Sequence, residues 1–166
     1  MKPIISKLHS ISIMRVCKNL SIAVILFFAL QGTARASSTA HKDPSFVGAE
    51  NFKHQFPDAT NVSYKVKGEF TEVNFIWNAM RLQAFFDHDG NLLATCRPIG
   101  TSDLSLSAQL SLRDQYPGYI EREAIEYNDA NAGVSYYVTM VGPKTSYLLC
   151  VSTGGAISDL ADDLAE

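Results

Sequence analysis

Two spacings of apolar residues alternate along this chain. Ala49, Phe52 and Phe56 recur at intervals of three and four, the signature of one helix face, and Pro57 marks where that helix has already ended. The period then becomes two. Val62, Tyr64 and Val66 alternate with Ser63, Lys65 and Lys67, and Val73, Phe75 and Trp77 alternate with Glu72, Asn74 and Ile76. Met80, Leu82, Ala84 and Phe86 continue the pattern, with Arg81, Gln83 and Phe85 on the other side, and Leu92 to Arg97 forms a fourth strand. Asp89-Gly90 reads as a two-residue type I′ turn, whose two central residues need positive φ. Such a turn sets Phe85 opposite Ala94 and Gln83 opposite Cys96.

The same order recurs downstream. Phe52-Lys53-His54-Gln55-Phe56-Pro57 is matched at an offset of 60 by Leu112-Arg113-Asp114-Gln115-Tyr116-Pro117. Val73 to Trp77 is matched by Tyr136 to Met140, and Asp89-Gly90-Asn91-Leu92 by Gly154-Gly155-Ala156-Ile157, the offset growing to 63 and 65 as small loop insertions require. Strands are expected around Ile125 and Tyr127, Val134 to Met140, and Tyr147 to Val151. Turns fall at Asn128 to Gly133, Gly142-Pro143 and Ser152 to Gly155. Leu104, Leu106, Ala108, Leu110 and Leu112 alternate as a strand would. The repeat nevertheless sets this stretch opposite the first helix, and Leu112 with Tyr116 holds the i, i+4 spacing, so a helix is predicted. The pattern predicts an α+β fold of two tandem α-β-β-β-β repeats, residues 46–100 and 104–164, with an antiparallel sheet and helices on one face. The acidic end, Asp159 to Glu166, reads as a frayed turn or short helix.

Charge divides the chain differently. Residues 1–36 hold five basic side chains and no acid, an apolar stretch from Leu20 to Leu30, and then Ala34-Arg35-Ala36. This order reads as a secretory signal cleaved between Ala36 and Ser37. Eleven apolar residues extend about 16 Å as a helix, too short for a hydrocarbon core of roughly 30 Å, so no membrane anchor is expected after cleavage. Residues 37–45 read as a flexible lead-in, and residues 46–166 as a single domain. Beyond residue 36 the chain has nine basic and 17 acidic residues, a net charge of -8, which disfavours a nucleic-acid backbone as partner. The expected location is the periplasm or the exterior.

The aromatic-Pro helix ends, the Val-x-Tyr strand, the aromatic strand and Phe86-Asp87-His88-Asp89-Gly90, in this order and duplicated, resemble the periplasmic PepSY-like proteins grouped with the β-lactamase-inhibitor-like proteins. The resemblance spans roughly Phe46 to Ile157. It implies helices covering one face of an antiparallel sheet, export from a bacterial cell, and no catalysis. The chain departs from the family pattern at Tyr64, where Trp is usual, at Leu106-Ser107, where Leu-Pro is common, and at the Ser-Thr-Gly-Gly of its second hairpin.

Candidate chemistry is sparse. His41, His54 and His88 stand in no metal-ligand spacing, Asp87-His88-Asp89-Gly90-Asn91 lacks the acids of a calcium loop, and neither a phosphate-binding loop nor a nucleophile elbow occurs, so no catalytic, cofactor or metal residues are assigned. Cys96 and Cys150 remain after signal removal, either as a disulfide or as two buried thiols. Parity places both on the face away from the helices. That face also carries Ile76, Arg81, Gln83, Phe85, Tyr137 and Leu148, a mixture suited to a partner surface, to dimerisation, or to an ordinary half-exposed sheet. The sequence therefore points to an exported non-catalytic binding protein, inhibitor-like or regulatory, that recognises a protein or peptide in the cell envelope. The alternatives are a self-associating structural or chaperone-like protein, including a homodimer, and a small secreted hydrolase built on a cysteine.

Overall fold

The computed structural model describes residues 46–160; the expected signal and lead-in, and the tail beyond Leu160, lie outside the described residues. Helix α1 (Ala49–Gln55) is followed by strands β1 (Thr60–Lys67), β2 (Phe70–Trp77), β3 (Met80–Asp87) and β4 (Leu92–Ile99). A single 3-10 turn (Thr101–Asp103) leads to helix α2 (Leu106–Gln115) and to β5 (Ile120–Asp129), β6 (Gly133–Val141), β7 (Ser146–Ser152) and β8 (Ile157–Asp159). All eight strands form one antiparallel sheet in the order of the sequence, which makes the fold α+β.

Each helix seals its own apolar cluster. Phe52 of α1 and Phe56, which caps its end, cover Val73, Phe75, Leu82, Ala84 and Phe86. Leu104, Ala108 and Leu112 cover Ala124, Val138, Met140, Leu149 and Val151. Ala84 pairs with Thr95, and Ile99, four residues on, pairs with Ala124, so alternation carries both clusters to one face of the sheet. Between them lies a polar seam. The Arg97 guanidinium donates from Nε to Glu126 Oε1 at 2.8 Å and from Nη2 to Oε2 at 3.2 Å, tying β4 to β5. The hydrogen bond to Glu126 pushes the Arg97 pKa further up.

The alternating leucines of α2 are explained by two apolar faces on one helix. Leu104, Ala108 and Leu112 step by four into the core, while Leu106 is 71% exposed and Leu110 39% exposed. Ser105 accepts from Ala108 N at 3.2 Å and so caps the helix, and its hydroxyl donates to Thr153 O at 2.8 Å, fastening α2 to the β7–β8 turn. The first turn of α1 is fastened to the β3–β4 turn by Asn51 Nδ2, which donates to Gly90 O at 3.0 Å.

The hairpin at Asp89-Gly90 departs from the two-residue expectation. Gly90 N donates to Asp87 O and Asp87 N to Asn91 O, leaving His88, Asp89 and Gly90 as a three-residue loop with only Gly90 at positive φ (85°). The Asp87 carboxylate accepts from the backbone N–H groups of Asp89 and Asn91 and from the Asn91 side chain, which lowers its pKa, the Asn91 amide foremost. A register shift after Phe85 absorbs the extra loop residue, so the pairs Phe85–Ala94 and Gln83–Cys96 form as the sequence predicts. The positive-φ pair of a two-residue hairpin instead occurs at Asn78 (φ 50°) and Ala79 (φ 62°), between Trp77 and Met80. Ala79 bears the steric cost of its Cβ there, and Ala79→Gly is expected to raise the unfolding free energy by about 1 kcal/mol in a urea titration.

Candidate interaction face

The registers define what lies on the face opposite the helices. Glu72 pairs with Phe85, Asn74 with Gln83 and Ile76 with Arg81 across β2 and β3. Gln83 pairs with Cys96, Cys96 with Tyr127, Ile125 with Tyr137, and Tyr137 with Cys150, while Leu148 pairs with Thr139. All six residues singled out from the sequence therefore share this second face, and among the described residues no helix covers it.

They do not share one environment. Arg81 is exposed, and Ile76 and Leu148 are half-buried. Gln83, Phe85 and Tyr137 are at most 7% exposed, so the expectation that they form a contact surface is corrected: they lie beneath it. Aromatic packing within the face contributes to that burial, with the Phe85 ring edge-on to Phe70 at 5.8 Å and Tyr137 edge-on to Tyr127 at 5.7 Å. A polar ladder runs beside them. Lys67 Nζ lies 2.5 Å from Glu72 Oε2, Asn74 Nδ2 donates to Glu72 Oε1 at 3.0 Å, Gln83 Nε2 donates to Asn74 Oδ1 at 2.7 Å, and Cys96 Sγ donates to Gln83 Oε1 at 3.3 Å. Each step answers a polar group that burial would otherwise leave unpaired, at a cost of about 1–3 kcal/mol apiece. Parity alone placed these residues, but only the lateral order of strands shows that they connect.

The cysteines are brought to one face but not together. β5 and β6 separate β4 from β7, so three strand spacings of about 4.8 Å hold Cys96 and Cys150 roughly 14 Å apart, whereas a disulfide needs Cα atoms within about 7 Å. The disulfide alternative is corrected on that ground, and no bond joins the two residues. Burial, reinforced by the negative charge of Glu72, pushes the Cys96 thiol far above its ordinary pKa. His88, the base a cysteine hydrolase requires, sits in an exposed turn 3.4 Å from Asp89, while the Cys96 thiol is bonded to Gln83. In the native protein at mildly alkaline pH, Cys96 is expected to resist iodoacetamide while the unfolded chain is alkylated. Peptide mass mapping reads this result, and without reductant the same map should contain no Cys96–Cys150 cross-link.

Among the described residues, no three His, Cys, Asp or Glu side chains converge on a metal-sized site. One concavity went unnoticed in the sequence, an open cleft of about 530 Å³ between Arg113, Tyr116, Tyr119, Ile120 and Met140 at the end of α2. The aromatic-Pro motif was its only signal: Tyr116 ends the helix, and Tyr119 packs edge-on to it at 6.0 Å.

A helix followed by four meandering strands, twice over in one sheet with both helices on one face, defines a known architecture. It is the β-lactamase-inhibitor-like (BLIP-like) fold. A BLIP-like protein from Bacteroides fragilis superposes with a TM-score of 0.62 at 19% identity, covering 72% of this chain and 89% of its own. A DUF2874 family protein from Bacteroides uniformis gives 0.64 at 12% identity over 70% of this chain and 90% of its own. A Bacteroides eggerthii protein provisionally assigned to the periplasm gives 0.62 at 9% identity, covering 71% and 89%. At these identities the likeness establishes the fold. No protein-family model matches the sequence, and comparison with curated proteins found no match.

Proposed function

We propose that this protein is an exported, non-catalytic binding protein that engages a protein or peptide of the cell envelope through the second face of its sheet. The observation that carries the reading is the one-sidedness of the fold. Both helices are committed to the first face, while the second presents Arg81 and Ile76 beside a hydrogen-bonded floor of Glu72, Asn74, Gln83 and Cys96, and half-buried Leu148 farther along the same face on β7. A rigid floor lowers the entropy lost when a partner binds, and Arg beside apolar groups is a composition that anchors interfaces. The likeness to a BLIP-like protein and to a protein provisionally assigned to the periplasm supports an inhibitor-like role outside the cytoplasm. Residues 1–36 act as the signal, cleaved before Ser37. The recurrence of helix and four strands, with a glycine-bearing hairpin docked on the start of each helix, supports duplication of one PepSY-like unit.

Site-specific photo-cross-linking in the native envelope tests this reading. A cross-linker at position 81 or 148 is expected to give one discrete adduct with another protein, and a cross-linker at position 106, on the exposed side of α2, is expected to give none. Adducts from position 106 alone sink the proposal, and adducts at twice the chain mass establish self-association instead.

A further inference from the structure

Resting on that reading of the second face, we infer that the segment it recognises is acidic: a carboxylate flanked by apolar side chains, the carboxylate seated on Arg81. The basis is a local excess of positive charge in an acidic protein. On the β1–β3 part of this face the charged residues are Lys65, Lys67, Glu72, Arg81 and Asp87. Both acids are already occupied. Glu72 is buried and held by Lys67 and Asn74, and Asp87 accepts three hydrogen bonds from its own turn. Lys65 and Arg81 are exposed, and neither meets an acid. Glu123, an exposed acid on the same face, stands on β5, two strand spacings or about 10 Å from β3, too far to answer the guanidinium directly.

The surroundings of Arg81 supply the apolar part. Its cross-strand partner is half-buried Ile76, and beyond Cys96 on β4 lies exposed Pro98. Pro98 has no N–H to offer a partner backbone, so contact there is by surface and shape. The planar guanidinium matches a carboxylate through two parallel hydrogen bonds, a geometry that lysine does not reproduce. In a chain of net charge -8 beyond residue 36, an exposed cation without an acid beside an apolar rim is a local spot that favours an acidic segment.

Panning a displayed library of random dodecapeptides on the full mature chain tests the inference. Peptides recovered on the wild type are expected to carry Asp or Glu next to Leu, Ile or Phe. For a recovered peptide, Arg81→Glu in the protein, or Glu→Gln in the peptide, is expected to weaken binding by roughly tenfold or more. Arg81→Glu should in turn select Lys and Arg peptides. Because Arg81 is exposed and bonded to nothing, the variant keeps its fold, which a thermal melt verifies. Recovered peptides without acid preference, or with equal affinity for Arg81→Glu, overturn the inference. If those same peptides lose affinity on Ile76→Asp or Leu148→Asp, the face stands and only its charge preference falls; if they do not, both readings fall.

Discussion

Replacing Phe52 with Ala is expected to lower the unfolding free energy by about 3–5 kcal/mol, the largest effect of any single truncation in the first half of the chain. Phe52 is 2% exposed and is the ring of α1 at the centre of the aromatic cluster beneath the helix. It stands edge-on to Phe75 at 4.9 Å and to Phe86 at 6.3 Å, and it meets Phe46 at 6.2 Å and Phe56 at 5.5 Å. Truncation removes four aromatic contacts and leaves a void that α1, only seven residues long, can close only by moving bodily. Since α1 is too short to be helical without that anchor, far-UV circular dichroism of Phe52→Ala should show lost helix in the same urea titration that reports the lower stability. A change below about 1 kcal/mol would mean that Phe56 and Phe46 alone suffice to seat the helix.

Gly155→Ala is expected to destabilise by at least about 2 kcal/mol, and the neighbouring Gly154→Ala by less than about 0.5 kcal/mol. Gly155 has φ 88°, where a Cβ is strained, and a Cβ there would stand 2.5 Å from Ser111 Oγ and 2.7 Å from the backbone oxygen of Ser107. The serine hydroxyl can swing away; the Ser107 carbonyl, inside α2, cannot. A Cβ on Gly154 would meet only Ser152 Oγ, at 3.7 Å. The paired variants separate the docking of α2 on the β7–β8 turn from a general sensitivity of the loop. Equal thermal melts for the two would contradict this account.

Much of the architecture was legible because the period of the apolar residues changes from three-and-four to two at the right places. Phe75, Trp77, Leu82, Phe86, Val138, Leu149 and Val151 fall on the helix-packed face by parity alone, since a strand cannot turn one of these inward without turning the others. The α2 segment shows where period fails. Leu106 and Leu110 carry apolar side chains without being buried, and their presence makes a helix look like a strand until the repeat is considered. The candidate face was legible only as a set of positions. Which of Arg81, Gln83 and Phe85 meets solvent depends on neighbours such as Phe70 and Asn74, contributed by another strand, and the distance between Cys96 and Cys150 depends on how many strands intervene. Neither quantity is local in sequence. The three-residue loop at His88 to Gly90 was missed for a subtler reason: Asp-Gly satisfies the two-residue rule, but the Asp87 carboxylate offers the next N–H groups a competing set of hydrogen bonds.

The strand order has a kinetic consequence. Every pairing in the sheet joins strands adjacent along the chain, so each new strand closes only a short turn before it finds an edge to extend, except β5, which must first close the segment that carries α2. An eight-stranded sheet of mixed order would wait on long-range encounters; six of the seven pairings here are hairpins, whose formation is in general a microsecond-scale event. A polypeptide emerging N-terminus first can build the structure from β1 toward β8 without holding distant segments open for later partners, which limits the time that aromatic strands such as β2 and β3 spend unpaired and prone to aggregate.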